Sequence, residues 1–180
     1  MIIWINGAFA SGKTTLAEEL MLQVPGAMLY DPEYVGYILV QWVPPAPETG
    51  DFQDLPLWRR MAAEFAIGLR AEYQRPLIVP MTLVNPQYRD EVFGRIGKAG
   101  EEIRHVFLDV PAEELYRRID AQVLVDENAD ADARAREFRR SNVERCVAAR
   151  AELSADTLVL PADQHTPAEL AELVLASIEG

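Results

Sequence analysis

One stretch near the start constrains this chain more than any other: Gly7-Ala8-Phe9-Ala10-Ser11-Gly12-Lys13-Thr14, with Thr15 behind it. The pattern G-x-x-x-x-G-K-T gains its meaning from context. Met1–Asn6 before it is a short apolar run rich in β-branched residues, as a buried strand is. After it Leu16, Leu20 and Val24 recur at helical spacing until Pro25-Gly26 stops the helix. A strand, a glycine-rich turn and a helix in that order make a cradle for phosphate. The glycines let the backbone curl so that successive amides point inward, and the helix start adds free amides and the positive end of its dipole. Lys13 brings a full charge to the outer phosphates, and Thr14 offers a hydroxyl to Mg²⁺. Gly7 through Thr15 are therefore the expected site for the phosphates of ATP.

The remaining elements alternate. Ala27–Tyr30 reads as a second strand ending at Asp31, with a helix expected from Pro32. Residues 43–56 hold four prolines and a Gly-Asp pair and read as a loop. Trp58, Met61, Phe65, Leu69 and Tyr73 mark one face of a long helix from Leu55. Pro76–Met81 is apolar throughout, as a strand covered on both faces should be; Pro80 lacks the amide a central strand needs, so it is expected at the strand's end. Asn85-Pro86 opens a helix closed by Gly97–Gly100, and Ile103–Leu108 is the fourth strand. The Leu-Asp-Val-Pro run places Asp109 as a cap for a helix over Pro111–Val123, with Leu115 and Ile119 inward. Residues 124–135 are acidic and Ala-rich without an apolar period, and read as a mobile excursion before a helix over Glu137–Ala151. Thr157–Leu160 and Pro167–Ile178 supply the last strand and helix. This alternation predicts a parallel sheet covered on both faces, in one domain spanning residues 1–180 with a lid insertion at about 120–140. Ligands of such sheets gather at the carboxyl ends of the strands, which is where Asn6, Asp31, Thr82 and Asp109 fall.

Composition narrows the partners. The chain is 49% apolar and 26% charged, with a formal net charge of −12. Nucleic acid and anionic membranes need a basic face, so neither is expected as the main partner. The positive charge is local: residues 117–150 hold eight of the 17 Lys and Arg against seven acids. A single cysteine, Cys146, and two distant histidines, His105 and His165, leave no disulfide, zinc site or histidine triad to expect. The first residues run straight into strand and loop, so no signal peptide is expected. The longest uncharged apolar run is far short of a membrane span. A cytoplasmic protein, monomeric or homodimeric, is the expectation.

Phosphate binding alone does not choose among switches, motors and kinases. The third strand ends at Thr82 without the Asp that usually holds magnesium in switches and motors. Small-molecule kinases often lack it, their metal being held by the loop Thr, phosphates and water. Asp31, at the end of the second strand, can take the proton of an acceptor hydroxyl or orient a metal-bound water; it can equally cap the helix after it. Arg117, Arg118, Arg134, Arg136, Arg139, Arg140 and Arg145 cluster around the excursion after the fourth strand. Phosphoryl transfer needs cations delivered around the moving group. Any one of these arginines can instead serve a helical ion pair, such as Arg140 with Glu137 or Glu144; for the group, at least two are expected to reach phosphate.

Several segments together resemble a known family. "MIIWINGAFASGKT" at Met1–Thr14, "YDPE" at Tyr30–Glu33, "DFQDLPLWR" at Asp51–Arg59, "LIVPMT" at Leu77–Thr82 and "ERCV" at Glu144–Val147 are similar to the bacterial tunicamycin-resistance proteins. More distantly they resemble chloramphenicol phosphotransferase, shikimate kinase and the nucleoside monophosphate kinases. The resemblance implies a three-layer P-loop NTPase fold with sheet order 2-3-1-4-5 and a lid after strand four. It implies ATP and Mg²⁺ as cofactors, and resistance to tunicamycin, a fatty-acylated uridine nucleoside, by phosphorylation of a hydroxyl. On this basis Lys13, Asp31 and Arg118 are the catalytic candidates, Arg118 reaching over the nucleotide. Tyr34, Phe52, Trp58, Arg59, Thr82 and Arg145 are the acceptor-binding ones, with Trp58 equally able to pack the core. Some family members carry a longer amphipathic C-terminal tail thought to touch membrane. This sequence ends at Gly180 after one short helix, and membrane association is not expected. Two alternatives stay open: a protein that binds ATP and sequesters the drug unmodified, and a metabolic kinase of other small alcohols.

Overall fold

The computed structural model describes residues 1–43, 50–126 and 128–179. Among them, five parallel strands form one sheet: β1 (Ile2–Gly7), β2 (Met28–Leu29), β3 (Leu77–Pro80), β4 (Ile103–Asp109) and β5 (Leu158–Pro161). Their order is β2-β3-β1-β4-β5, as the family resemblance implies. β1 lies at the centre, with Ile2–Ile5 beside Leu77–Pro80 and Ile2–Gly7 beside Ile103–Leu108. All six of its residues are buried, which explains the unbroken apolar run.

Successive strand residues face opposite sides of the sheet, and β1 divides the core accordingly. Ile3 and Ile5 pack with α1 (Lys13–Gln23), α5 (Ala112–Ala121) and α8 (Pro167–Glu179) through Leu16, Leu20, Leu115, Ile119 and Val174. Ile2 and Trp4 pack with α3 (Pro56–Tyr73) and α4 (Pro86–Lys98) through Trp58, Ala62, Ala66, Val92 and Ile96. The other helices are α2 (Glu33–Trp42), α6 (Ala129–Ser141) and α7 (Val143–Ala148), the last running into a 3-10 turn over Ala149–Glu152. Pro80 ends its strand as expected, and Asn85 caps α4 by accepting the Tyr88 amide at 3.2 Å.

Four expectations are corrected. The buried face of α3 is not the stripe of large residues. Trp58 lies on it, but with Arg59, Ala62, Ala63 and Ala66, whereas Phe65 and Tyr73 are 46% and 55% exposed. Alanines let the helix lie close on the sheet, and the bulky side chains splay to the rim around Gly68. The excursion at 124–135 is also not structureless from end to end: α6 begins at Ala129, where Asn128 accepts the Ala131 amide at 2.9 Å. Buried Asp132 accepts the Leu124 and Val125 amides at 2.6 and 3.1 Å, folding the preceding loop back on the helix. The helix expected over Glu137–Ala151 is broken at Asn142, between α6 and α7. Asp109 does not cap α5, whose capping position is Pro111; its carboxylate pairs with Arg150 at 2.6 Å instead. Most of the proline-rich loop, residues 44–49, lies outside the described residues. Beyond it the chain forms a 3-10 turn over Phe52–Asp54, capped by Asp51.

The α3 correction is measurable by urea unfolding. Trp58→Ala should cost about 3–5 kcal/mol, since the ring is fully buried. Phe65→Ala at the exposed rim should cost less than about 1 kcal/mol.

Candidate active site

The carboxyl ends of β1, β2 and β3 open into two adjoining cavities. The first, about 370 Å³, is lined by Phe9, Ala10, Gly12, Lys13, Thr14 and Thr15, by Asp31, Glu33 and Pro80, and by Arg118, Gln122 and Arg139 from the segment after β4. The loop curls as its glycines permit: Gly7 and Gly12 have φ of 138° and 100°, and Ala10 follows at 62°. A Cβ on Gly7 would lie 2.8 Å from the Leu108 carbonyl, so close strand packing also demands glycine there. Lys13 folds back over the loop, donating to the carbonyls of Ala8 at 2.6 Å and Gly7 at 3.1 Å. Burial lowers its pKa to about 8, against the opposing pull of Cys146, Glu33 and Asp31.

Buried side chains hold the loop's first residue. Asn6 Oδ1 accepts the amides of Gly7 and Leu83, both at 2.8 Å, and its Nδ2 donates to the Leu83 carbonyl at 2.7 Å. The Thr82 hydroxyl donates to the Gly7 carbonyl at 2.9 Å. Thr82, expected to touch the acceptor, is 2% exposed yet lines the second cavity described below, while its polar contacts secure the loop; its own carbonyl accepts from Gln53 at 3.0 Å.

The second cavity, also about 370 Å³, is mainly apolar: Tyr37, Val40, Phe52, Met81 and Phe138 line it, with Asp51 and Gln53 from the 3-10 turn. Gly36 allows Phe52 its place, since a Cβ there would sit 2.6 Å from the ring. Phe9, Glu33 and Arg139 line both cavities and form their common wall. The Phe9 ring meets Phe138 edge to face at 5.7 Å, and the Arg139 guanidinium lies 5.6 Å from its centre. Arg139 donates to Gln122 at 2.9 Å, and burial pulls its pKa down.

Among the other residues singled out by sequence, Asp31 lines the first cavity. It stands one residue before Pro32, the capping position of α2, and accepts the Glu33 amide at 2.9 Å; burial raises its pKa. Arg118 lies between the loop and Glu114, donating to Ala10 at 3.4 Å and to the carboxylate at 2.7 Å. Phe52 lines the second cavity. Trp58 does not: it is fully buried and its indole donates to Pro32 at 3.1 Å. Arg59 is likewise drawn inward, bonded to Gln53 and Glu91 at 2.6 Å each and stacked over Tyr88 at 4.1 Å. Tyr34 is exposed beside Tyr37 and lies off the cavity lining. Arg145 stands near the rim, 3.5 Å from Asp51. Arg117, Arg136 and Arg140 are occupied by Glu114, Asp132 and Asp120. Glu33, not singled out as a site residue from the sequence, and Arg139, named there only as one of seven clustered arginines, are the two charged residues that line both cavities.

A metal on this site would meet the Thr14 hydroxyl, with Asp31 on the same cavity. Among the described residues no group of three or more His, Cys, Asp or Glu could hold one by itself. The loop amides, Lys13, Arg118 and Arg139 fit a polyphosphate. A smaller cleft of about 200 Å³ continues past Gly12, Thr15 and Arg118 to His165 and Pro167.

A family model described as an AAA domain matches residues 2–153. The chain belongs to this AAA-domain family. No curated protein matches it in sequence. Solved structures share its fold over almost the whole length. The tunicamycin resistance protein of Deinococcus radiodurans is 23% identical, with a TM-score of 0.70 over 98% of this chain and 94% of that one. The APS kinase of Mycobacterium tuberculosis, solved with AMPPNP and APS, is 19% identical, with a TM-score of 0.64 over 99% and 97%. A gluconokinase from Sinorhizobium meliloti is 15% identical, with a TM-score of 0.62 over 98% and 90%. These likenesses show the fold, and the resemblance seen in the sequence motifs agrees with them. No helix among the described residues is long and apolar enough to cross a membrane.

The lowered pKa of Lys13 sets a pH signature for anion binding. Phosphate favours charged Lys13, and the free protein loses that charge above about pH 8. Mg·ATP affinity measured by calorimetry should therefore be flat below about pH 7.5 and fall above about pH 8, approaching tenfold per pH unit. Lys13→Arg, which keeps its charge at all these values, should remove the slope.

Proposed function

We propose that this chain is an ATP-dependent phosphotransferase whose acceptor is a hydroxyl of an uncharged, amphipathic nucleoside, tunicamycin or one like it. The observation that carries this reading is the common wall of the two cavities: a phosphate cradle and an apolar cavity meet at a carboxylate, Glu33, and a guanidinium, Arg139. Switches need a phosphate cradle but not a second, ring-lined cavity opening onto its outer end.

The roles follow from position. The loop amides and Lys13 hold the phosphates, and Arg118 closes over them toward the cleft at His165, where the base of the nucleotide fits. ATP supplies the phosphoryl group, and a magnesium ion on Thr14 would screen its charge. Glu33 faces both cavities and accepts the proton of the incoming hydroxyl. Asp31, tied to the start of α2, serves the magnesium side by orienting water. Arg139 faces the moving phosphoryl group, its reduced hydration strengthening the interaction. The segment about 120–140 acts as a lid: α6 brings Phe138 and Arg139 to the site together.

Charge favours an uncharged acceptor. Residues 31–58, which supply most of the acceptor wall, contain five acids and no Lys, Arg or His. Arg145 stands against Asp51 and Arg139 faces the phosphates, so an anionic acceptor would be repelled at Glu33. Phe52, Tyr37 and Val40 suit an apolar group instead.

Incubation with Mg·ATP and tunicamycin should give a product heavier by one phosphoryl group, seen by mass spectrometry. Glu33→Gln should lower kcat by about 10²–10⁴ while ATP affinity is kept, and Asp31→Asn should act mainly on the metal dependence. If ATP and tunicamycin both bind and no phosphorylated product forms, the transfer reading fails in favour of sequestration.

A further inference from the structure

We propose that His105, on the face of the sheet it shares with Trp4 and outside the lining of both cavities, is a positioning residue for the phosphate loop, acting through Asn6. The inference rests on the reading of that loop as an ATP site. His105 lies on β4 beside Trp4, 8% exposed, with its ring edge-on to Phe93 at 5.1 Å. Its Nε2 is 3.2 Å from Asn6 Nδ2, and its Nδ1 is 3.0 Å from the Thr157 hydroxyl.

The direction of every bond in this chain is fixed by what surrounds it. Asn6 Oδ1 accepts two backbone amides, from Gly7 and Leu83, so the amide group cannot be turned over. Nδ2 therefore faces His105, and one of its hydrogens already goes to the Leu83 carbonyl. The second needs an acceptor, and only an unprotonated Nε2 supplies one. The ring hydrogen must then sit on Nδ1, donating to Thr157. Burial and nearby Arg89 push the His105 pKa down to about 4, keeping the ring neutral at ordinary pH. Thr157 thus sets the tautomer, His105 orients the Asn6 amide, and Asn6 fixes the Gly7 amide that begins the loop. Gly7 in turn receives Lys13 through its carbonyl. Without the acceptor at Nε2, the buried Nδ2 hydrogen loses its partner and the amide loses one of its four tethers. The loop's starting geometry then becomes one of several.

The test separates positioning from mere packing. Thr157→Val keeps shape but removes the acceptor for Nδ1, while Thr157→Ser restores it. His105→Leu removes both ring bonds, and His105→Gln retains a carbonyl that Nδ2 can reach. Mg·ATP dissociation constants are measured by calorimetry for wild type and all four, with thermal midpoints alongside. Expected are about three- to tenfold weaker binding for His105→Leu, a smaller loss for Thr157→Val, and values within about twofold of wild type for Gln and Ser. If His105→Leu and Thr157→Val bind ATP as wild type does, whatever their midpoints, His105 is only a core residue and the proposal falls. Equal losses in Leu and Gln variants overturn it too, since ring volume would then be what matters. Should His105→Leu not fold, the Thr157 pair decides alone. A wild type that does not bind Mg·ATP removes the ATP reading instead, which the same titration reports first.

Discussion

The end of the central strand carries the constraint on which this molecule turns. A loop that must present its amides to phosphate cannot use them to hold itself in place. Its anchorage has to come from side chains underneath. Asn6 and Thr82 provide it, the first through the Gly7 amide and the second through the Gly7 carbonyl. Both are almost fully buried, so water does not compete for these bonds. Because Thr82 also receives Gln53, the same clamp reaches the turn that carries Phe52 into the second, apolar cavity. The phosphate-loop cavity and the apolar cavity are thus referenced to one point at the sheet's carboxyl edge.

The sheet was legible in the sequence because β1 and β3 are covered on both sides, which leaves an unmistakable apolar run; strand order came from family resemblance instead. The face of α3 was misread for a physical reason. Periodicity gives weight to large side chains, but a helix that lies close to a sheet does so through alanine, and Ala62, Ala63 and Ala66 look neutral in any pattern count. The start of α6 was missed because its stability is local and polar, resting on Asn128 and Asp132, with almost no apolar stripe to see.

The site divides in the same way. The phosphate loop is contiguous, so its residues could be named one by one. Glu33 had a visible signal, lying two residues after Asp31 at the start of a helix, yet proximity in sequence does not say which carboxylate lines both cavities. Arg139 could not be told from its six neighbours, since only tertiary placement separates it from arginines held in surface ion pairs. Trp58 and Arg59 looked like ligand residues because aromatic and guanidinium groups serve sites and cores alike; here Pro32, Gln53 and Glu91 draw them inward.

β2 is only two residues long and lies at the edge of the sheet. The described parts of the segment from Asp31 to the start of α3, including the walls that would meet an acceptor, leave the sheet at that short edge and return to it through the bond from Gln53 to Thr82. The central strand, by contrast, is locked on both sides. Insertions and substitutions in the acceptor region therefore meet little resistance from the sheet, whereas changes near Gly7 disturb several strands at once. Such an arrangement lets one half of a site diversify while the other stays constant. A lineage facing new small molecules could rebuild its selectivity there without relearning how to hold the donor.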